Sequence, residues 1–267
     1  MKMEDHFGFK TTPFTRELGI DKRLSLDMLD GEARAIEEVV KRRFSALLMA
    51  PAGSGKTVVL RSVAASLPEA RYNVTYFKVS RLSGRDLCRE IAQAVGARSA
   101  GTYPSLVRSV QDRFQQCVST DGVRPVLIFD DAHTLRPEGF ELLKILTNYD
   151  MDSRLVVSFV LAGHPSLKEK LYRLELEDIR QRIAHCGELR LLSRDESLTY
   201  IKHRLAIAGA TTPPFDSEAM EGIYEMSRGN MRAIDNLAFL SLQEATKAQA
   251  KVVASQHLHQ ARAKLWL

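Results

Sequence analysis

The sequence of 267 residues has no apolar run of about 18 residues, the length that a membrane-spanning helix needs. Its first residues, MKMEDHFGFK, contain acidic side chains and no apolar core, which excludes a secretory signal peptide. Cysteine is scarce, and the three present, Cys88, Cys117 and Cys186, are odd in number and far apart. They are typical of a reducing compartment rather than of a disulfide framework. We therefore expect a cytoplasmic protein without a membrane segment.

A strong excess of charge is also missing, because the net charge is only +5 and the isoelectric point is near 9.1. Such moderate basicity permits contact with nucleic acid without demonstrating it. The sequence contains no internal repeat and no low-complexity stretch. Apolar residues are abundant, at 45% of the chain, so it can bury the core of one large domain or of a domain with a lid.

The most informative stretch, residues 45–60, reads SALLMAPAGSGKTVVL. Residues 46–50 form an apolar run that predicts a short buried strand of a parallel sheet. Gly53 and Gly55 follow and permit backbone angles that a Cβ would forbid. A helix is predicted over residues 58–65. A strand, a glycine loop, a Lys-Thr pair and a helix in this order make a P-loop, and this complete context disfavours a chance glycine turn.

In a P-loop, backbone N–H groups and the helix N-terminus bind phosphates, the lysine reaches the β- and γ-phosphates, and the hydroxyl ligates Mg²⁺. Lys56 and Thr57 stand in the last two positions. Ala50 replaces the usual first glycine, at a position that ends the strand rather than touching phosphate. We therefore predict that the protein binds ATP with Mg²⁺. The predicted cofactor-binding segment comprises Pro51, Ala52, Gly53, Ser54, Gly55, Lys56, Thr57 and Val58.

Further apolar runs predict strands over residues 73–79, 126–130 and 155–161, with helices over residues 84–95, 105–118 and 138–148. Buried strands that alternate with helices predict a parallel, doubly wound α/β sheet. The first 30 residues are predicted to be an irregular strap anchored by phenylalanines. From about residue 191 only helices are predicted. The expected domains are an N-terminal strap and helix (1–44), an α/β nucleotide-binding core (45–190) and a helical lid (191–267).

Three helix starts carry local capping signals. Ser83 is expected to cap the helix that begins at Gly84, and the sequence Ser-Arg-Asp-Glu at residues 193–196 is a capping box. Asp216 or Ser217 is expected to cap the next helix. These signals predict where the three helices begin.

A P-loop site needs a second carboxylate for the metal, at the tip of a neighbouring strand. Asp130 ends the predicted strand 126–130 and would hold Mg²⁺ through water. Many ATPases carry at the next position a glutamate that orients the attacking water, but this sequence has Asp131. Asp131 is one methylene shorter, so its reach falls short by about 1.5 Å. A misplacement of about 1 Å can cost on the order of a hundredfold in rate, so hydrolysis is expected to be slow.

Four other polar residues are candidates for the same chemistry. His164 follows the strand predicted over residues 155–161, where it either orients the attacking water or merely caps Pro165 or the following helix. Arg180 and Arg182 either form a solvated helix face or provide an arginine finger to a neighbouring subunit. Arg232 opens the third predicted helix of the lid, from which it could reach back to the nucleotide.

The ordered motifs APAGSGKT, VLIFDDAH, LTNYD, VLAGHPSL, IRQRI and SRGNMRAIDNL resemble the ExeA-type AAA+ ATPases and related transposition regulators of the TnsC, TniB and MuB kind. The resemblance covers about residues 6–245. It implies that Lys56 and Thr57 belong to Walker A, Asp130 to Walker B and His164 to sensor 1. It further implies that Arg182 is the arginine finger, with Arg180 as the fallback, and that Arg232 belongs to sensor 2.

In the transposition regulators, the segment after the second strand faces DNA inside an ATP-bound helical oligomer. In this sequence that segment contains Arg81, Arg85 and Thr102. These residues are either phosphate contacts or parts of a solvated helix start. ExeA proteins carry a membrane anchor and a peptidoglycan-binding part, neither of which this sequence contains, and this difference favours the DNA interpretation.

The leading hypothesis is therefore an ATP-dependent, sequence-non-specific regulator of transposition. It would form a ring or helical filament on double-stranded DNA, recruit or activate a transposase and disassemble on hydrolysis. One alternative is a helicase loader or initiator-like ATPase, whose motifs would be the same. The other alternative is a cytoplasmic ATPase switch for secretion or signalling that does not bind DNA.

Overall fold

The computed structural model describes residues 2–151 and 153–265 of the chain. Its β-sheet has five strands, all paired in parallel, in the spatial order β2-β3-β4-β1-β5. The strands are β1 (Ser45–Met49), β2 (Tyr72–Lys78), β3 (Arg124–Asp130), β4 (Ser158–Gly163) and β5 (Ile183–Glu188). Every residue of β1 and β4 is buried, as expected for strands covered on both faces. The predicted parallel α/β sheet is therefore confirmed.

Helices surround the sheet and make up the C-terminal part of the chain. They are α1 (Met3–Phe7), α2 (Asp27–Lys41), α3 (Lys56–Ser66), α4 (Gly84–Ala94), α5 (Tyr103–Ser119), α6 (Pro137–Thr147), α7 (Ser166–Leu171), α8 (Glu177–Gln181), α9 (Arg194–Ile207), α10 (Ser217–Ser227), α11 (Met231–Lys247) and α12 (Ser255–Arg262). None of the helices in the described part of the chain combines the length and the apolar character that crossing a bilayer requires.

The chain divides into two compact units. The α/β unit holds residues 27–51 and 56–189, and the helical unit holds residues 2–26, 52–55 and 190–265. In the α/β unit, Leu47, Phe129 and Leu161 of the sheet share one apolar cluster with Phe114 of α5 and Phe140 of α6. The first 44 residues, treated above as one segment, are thus divided between the two units.

The N-terminal strap is anchored by its phenylalanines, as the sequence predicts, although α1 gives it a short helix that the sequence analysis missed. Phe9 and Phe14 are buried within the helical unit. The Phe14 ring meets Phe215 edge to face, with 6.4 Å between the ring centroids. The strap therefore adds apolar contacts to the core of the helical unit.

Two strands differ from the sequence predictions. The strand expected over residues 155–161 begins at Ser158 and continues to Gly163, because β1 pairs with it as far as Met49↔Gly163. Strand β5 was not predicted at all. It lies at the edge of the sheet, and only Gly187 among its residues is buried, so it lacks the continuous apolar run that marks the other strands.

The capping signals are confirmed. Ser83 accepts a hydrogen bond from Asp86 N, Asp216 accepts one from Ala219 N, and residues 193–196 form a complete capping box. In this box, Glu196 accepts a hydrogen bond from Ser193 N at 2.7 Å and two from Arg190 at 2.6 and 2.9 Å. Arg190, together with the Ser193 backbone, lowers the pKa of Glu196 to about 2.

Glu196→Ala is expected to lower the free energy of unfolding by about 1 kcal/mol at pH 7, because it removes half of the capping box. The pKa of Glu196 is depressed in the folded state, so the charged carboxylate stabilises above its unfolded pKa of 4.5 and loses its effect as the pH falls towards 2. Urea unfolding at pH 7 and pH 3 measures the difference, with the exposed Glu225→Ala of α10 as control. An equal loss at both pH values would contradict the role of the charge.

Candidate nucleotide-binding site

The P-loop begins where β1 ends. Met49 is the last residue of the buried strand, and Ala50 N continues the pairing by donating to Gly163 O at 2.9 Å. Gly53 and Gly55 have φ angles of 78° and 98°, in the left-handed region that favours glycine. Helix α3 then begins at Lys56. The glycines are therefore required by the local backbone, as the motif predicts.

The structure brings together four of the predicted site residues of the α/β unit: Lys56, Thr57, Asp130 and Asp131. The Lys56 Nζ atom lies 2.7 Å from Asp130 Oδ1 and 2.6 Å from Asp131 Oδ1. Thr57 Oγ1 lies 3.4 Å from Asp130 Oδ2. A hydroxyl beside a buried carboxylate is an oxygen donor set of the kind that Mg²⁺ prefers, so Thr57 and Asp130 fit the predicted metal role.

Asp131 has an unusual backbone, with a φ angle of 58°. Aspartate tolerates this left-handed conformation better than most residues do, and Asp131 N donates to Asp130 Oδ1 at 2.8 Å. Partial burial raises the pKa of Asp131, but the hydrogen bond and the charge of Lys56 outweigh burial and lower the pKa below its usual value. Asp131 is therefore a carboxylate at neutral pH, positioned by Lys56.

Sequence reasoning missed Tyr76, whose hydroxyl donates to Asp130 Oδ2 at 3.0 Å. Partial burial, together with the charge of Asp130, raises the pKa of Tyr76 to about 12, so its hydroxyl remains a donor at neutral pH. Strands β2 and β3 are neighbours in register, with Lys78 opposite Asp130. Tyr76 and Lys78 lie on the same face of β2, because side chains alternate along a strand. This alternation predicts a contact between Tyr76 and Asp130 only when the order of the strands is known.

His164 forms the contact expected of a helix-capping histidine, because Ser166 N donates to His164 Nδ1 at 3.3 Å at the start of α7. Its own backbone N donates to His133 Nδ1, also at 3.3 Å. Sequence reasoning also missed His133. Partial burial lowers the pKa of His133, and the charge of Asp131 offsets only part of this effect. A neutral imidazole therefore lies beside Asp131, and a water-orienting role for His164 stays a prediction.

Arg180 and Arg182 lie near the beginning of β5. Arg180 is 3.5 Å from Glu177 and stacks over the Tyr172 ring at 5.1 Å. The carbonyl of Arg182 accepts a hydrogen bond from Ser45 N, at the first residue of β1. Lys56 follows the other end of β1, which is five residues or about 16 Å long. Arg182 and Lys56 thus lie near opposite ends of β1.

Arg232 lies in the first turn of α11 and is exposed. Within the helical unit, the start of this helix bonds directly to the P-loop segment 52–55. Asn230 Nδ2 donates to Ala52 O at 2.8 Å, and Met231 N donates to Gly53 O at 2.9 Å. Asn230 is a third residue that sequence reasoning did not assign to the site.

Of the predicted DNA-contacting residues, Arg81 precedes α4, Arg85 lies in the first turn of α4, and Thr102 is the N-cap of α5. Arg85 Nη2 donates a hydrogen bond to Gly101 O, the residue before Thr102, at 3.2 Å. Arg81 is exposed to solvent. Thr102 also lines an open groove of about 600 Å³ along α5. The charged residues that line this groove are Arg98, Arg108, Asp112 and Arg113. Of these, Arg113 forms a salt bridge with Asp121, with 2.8 Å between Nη1 and Oδ2.

The arrangement of strands and P-loop agrees with the comparisons to known proteins. Residues 40–171 match a family model described as an AAA domain. The chain has the P-loop AAA fold. The Aeropyrum pernix ORC1 protein, solved in complex with DNA, shares this AAA fold with a TM-score of 0.74 at 20% identity, over 96% of this chain and 69% of that one. The RuvB Holliday junction branch migration motor of Thermotoga maritima superimposes with a TM-score of 0.61 at 19% identity, over 94% of this chain and 73% of RuvB.

A curated relative is similar in sequence to part of this chain. General secretion pathway protein A of Aeromonas hydrophila is 31% identical over 192 residues, which are 71% of this chain and 35% of that protein. The chain therefore spans about a third of the length of the curated relative. Homology to an ExeA-like AAA protein is supported, and this agrees with part of the resemblance noted from the motifs.

Proposed function

We propose that this protein is an ATPase that binds duplex DNA without sequence preference and regulates DNA transposition. The observation that carries the ATPase proposal is the convergence of Lys56, Thr57, Asp130 and Asp131 in the α/β unit. The AAA domain match and the homology to an ExeA-like protein support the same chemistry. The transposition role rests on the motif resemblance together with the basic surface described below.

In the proposed reaction, Lys56 exchanges its carboxylate partners for the β- and γ-phosphates of ATP. Thr57 and Asp130 would hold Mg²⁺, which neutralises charge that develops on the phosphates during transfer. Tyr76 donates to Asp130 and keeps this carboxylate oriented. Asp131, released from Lys56, accepts a proton from the attacking water, and His164 helps to orient that water.

The position of Arg182 supports a role in a neighbouring subunit. Because this arginine lies near the end of β1 that is farther from Lys56, its guanidinium is suited to another subunit's nucleotide rather than to its own. In a ring or helical filament, ATP would then contribute directly to the interface, and hydrolysis would weaken it. Arg180, which is engaged with Glu177 and Tyr172, is the fallback for this role. Arg232 would contact the nucleotide bound to its own subunit.

For DNA, we propose that Arg81, Arg85 and Thr102 contact consecutive phosphates. The hydrogen bond from Arg85 to Gly101 O places the guanidinium next to the residue that precedes Thr102, which supports a shared target. Arg98 and Arg108 extend the positive charge along the adjoining groove. Phosphate contacts carry no base information, so binding would be independent of sequence and sensitive to salt. A transposase would then be recruited to the assembled protein.

Charge reversal by Arg81→Glu with Arg85→Glu is expected to abolish duplex binding in the presence of an ATP analogue, while ATP binding stays unchanged. Each lost phosphate contact reduces the magnitude of the slope of log affinity against log salt by about 0.9. A salt titration measured by fluorescence anisotropy tests this expectation. Arg34→Glu with Arg71→Glu makes the same change in net charge on other exposed residues. Equal affinities and slopes for all three proteins would exclude this surface.

A second candidate function is an ATPase switch in secretion, because the curated relative is a general secretion pathway protein. It predicts ATP binding without any affinity for DNA. The same titration discriminates the two, since wild-type protein that fails to bind duplex DNA at low salt with ATP analogue would favour the secretion function.

A further inference from the structure

The side chain of Asn230 joins two structures within the helical unit. Its Oδ1 accepts a hydrogen bond from Ala233 N at 3.1 Å and so caps α11. Its Nδ2 donates to Ala52 O in the P-loop at 2.8 Å. The next residue, Met231, donates its backbone N–H to Gly53 O at 2.9 Å. One helix start therefore satisfies two consecutive carbonyl groups of the loop.

These two hydrogen bonds constrain the backbone N–H groups of the loop. In a trans peptide, the C=O and the N–H of one peptide plane point in opposite directions. Holding Ala52 O therefore orients Gly53 N–H, and holding Gly53 O orients Ser54 N–H, both away from α11. These are loop N–H groups of the kind that bind phosphate in a P-loop.

The approach of Asn230 to the loop is possible only because residue 53 is glycine. A Cβ on Gly53 would lie 1.9 Å from Asn230 Oδ1, and the φ angle of 78° is itself unfavourable for other residues. The close contact therefore depends on the glycine, a requirement that an ordinary helix cap does not have.

We propose that Asn230 is a positioning residue for nucleotide binding, whose amide holds the loop so that Gly53 and Ser54 present their N–H groups to phosphate. This inference rests on the proposed binding of ATP at the P-loop. It assigns to the side-chain amide a function separate from capping, because the two roles use different atoms.

Two variants separate these roles. Asn230→Ser keeps a neutral N-cap but cannot reach Ala52 O, and Asn230→Asp keeps the capping oxygen but replaces the donor with an acceptor. Both variants are expected to bind a fluorescent ATP analogue with Mg²⁺ about fivefold to tenfold more weakly. This loss of affinity corresponds to the loss of one hydrogen bond. The midpoint of thermal unfolding without nucleotide should fall by only about 2–4 °C, the cost of the same bond, so that both variants remain folded in the binding assay. Asp216→Asn exchanges the N-cap of α10, whose carboxylate accepts a hydrogen bond from Ala219 N, and should change neither quantity.

The outcomes distinguish this inference from the proposed function. Wild-type affinity in a folded Asn230→Ser protein would overturn the positioning role of Asn230 alone. Weakened binding that is matched by an equal loss in Asp216→Asn would also overturn it, because general destabilisation of the helical unit would then explain both. Absence of binding by the wild-type protein would overturn the proposed ATPase function and this inference with it.

Discussion

Lys56→Ala is expected to weaken binding of an ATP analogue by at least about a hundredfold. In the wild-type structure, Lys56 Nζ lies within 2.7 Å of both Asp130 and Asp131. Without its charge, the phosphates would meet two carboxylates with no fixed cation between them. At an effective dielectric constant of about 20, one pair of unit charges at 4 Å is worth roughly 4 kcal/mol, which exceeds the 2.7 kcal/mol of a hundredfold change.

Titration of the protein with a fluorescent ATP analogue and Mg²⁺ measures this effect, and circular dichroism checks that the variant is folded. Lys202→Ala, which removes an exposed lysine from α9, is the matched control and should bind as the wild type does. Wild-type affinity in Lys56→Ala would show that the P-loop assignment is wrong.

Asp131→Glu is expected to increase the rate of ATP hydrolysis by about tenfold to a hundredfold. Asp131 is about 1.5 Å shorter than glutamate, and its carboxylate accepts a hydrogen bond from Lys56 Nζ at 2.6 Å. A glutamate would extend beyond the lysine towards the attacking water. Because a misplacement of about 1 Å can cost on the order of a hundredfold, the added methylene should recover much of that rate. The left-handed φ of 58° opposes this gain, since glutamate tolerates it less well than aspartate.

Phosphate release at saturating ATP tests the second prediction, with nucleotide affinity measured in parallel. Asp131→Asn is the control, because it keeps the length of the side chain but cannot accept a proton and should hydrolyse more slowly than the wild type. Turnover that is unchanged or lower in Asp131→Glu, with intact binding, would mean that the short carboxylate does not limit the reaction.

The features that the sequence determined by itself are local in the chain. Gly53 and Gly55 adopt left-handed angles because a tight loop between a strand and a helix requires them. Ser83 and Asp216 cap their helices because a side-chain oxygen reaches an N–H three residues ahead. The buried strands β1 and β4 were recognisable because a parallel sheet covered on both faces needs a nearly continuous apolar run.

Tertiary structure alone decided which distant residues meet. Tyr76 contacts Asp130 because β2 and β3 are adjacent. The apolar pattern of either strand does not predict this adjacency. Arg182 lies away from Lys56 because β5 pairs in parallel with β1, and β5 is an edge strand without an apolar run. Asn230 looks like an ordinary helix cap in the sequence, and its bond to Ala52 spans 178 positions. Such pairs depend on how strands and helices assemble, which local rules of backbone and side chain do not specify.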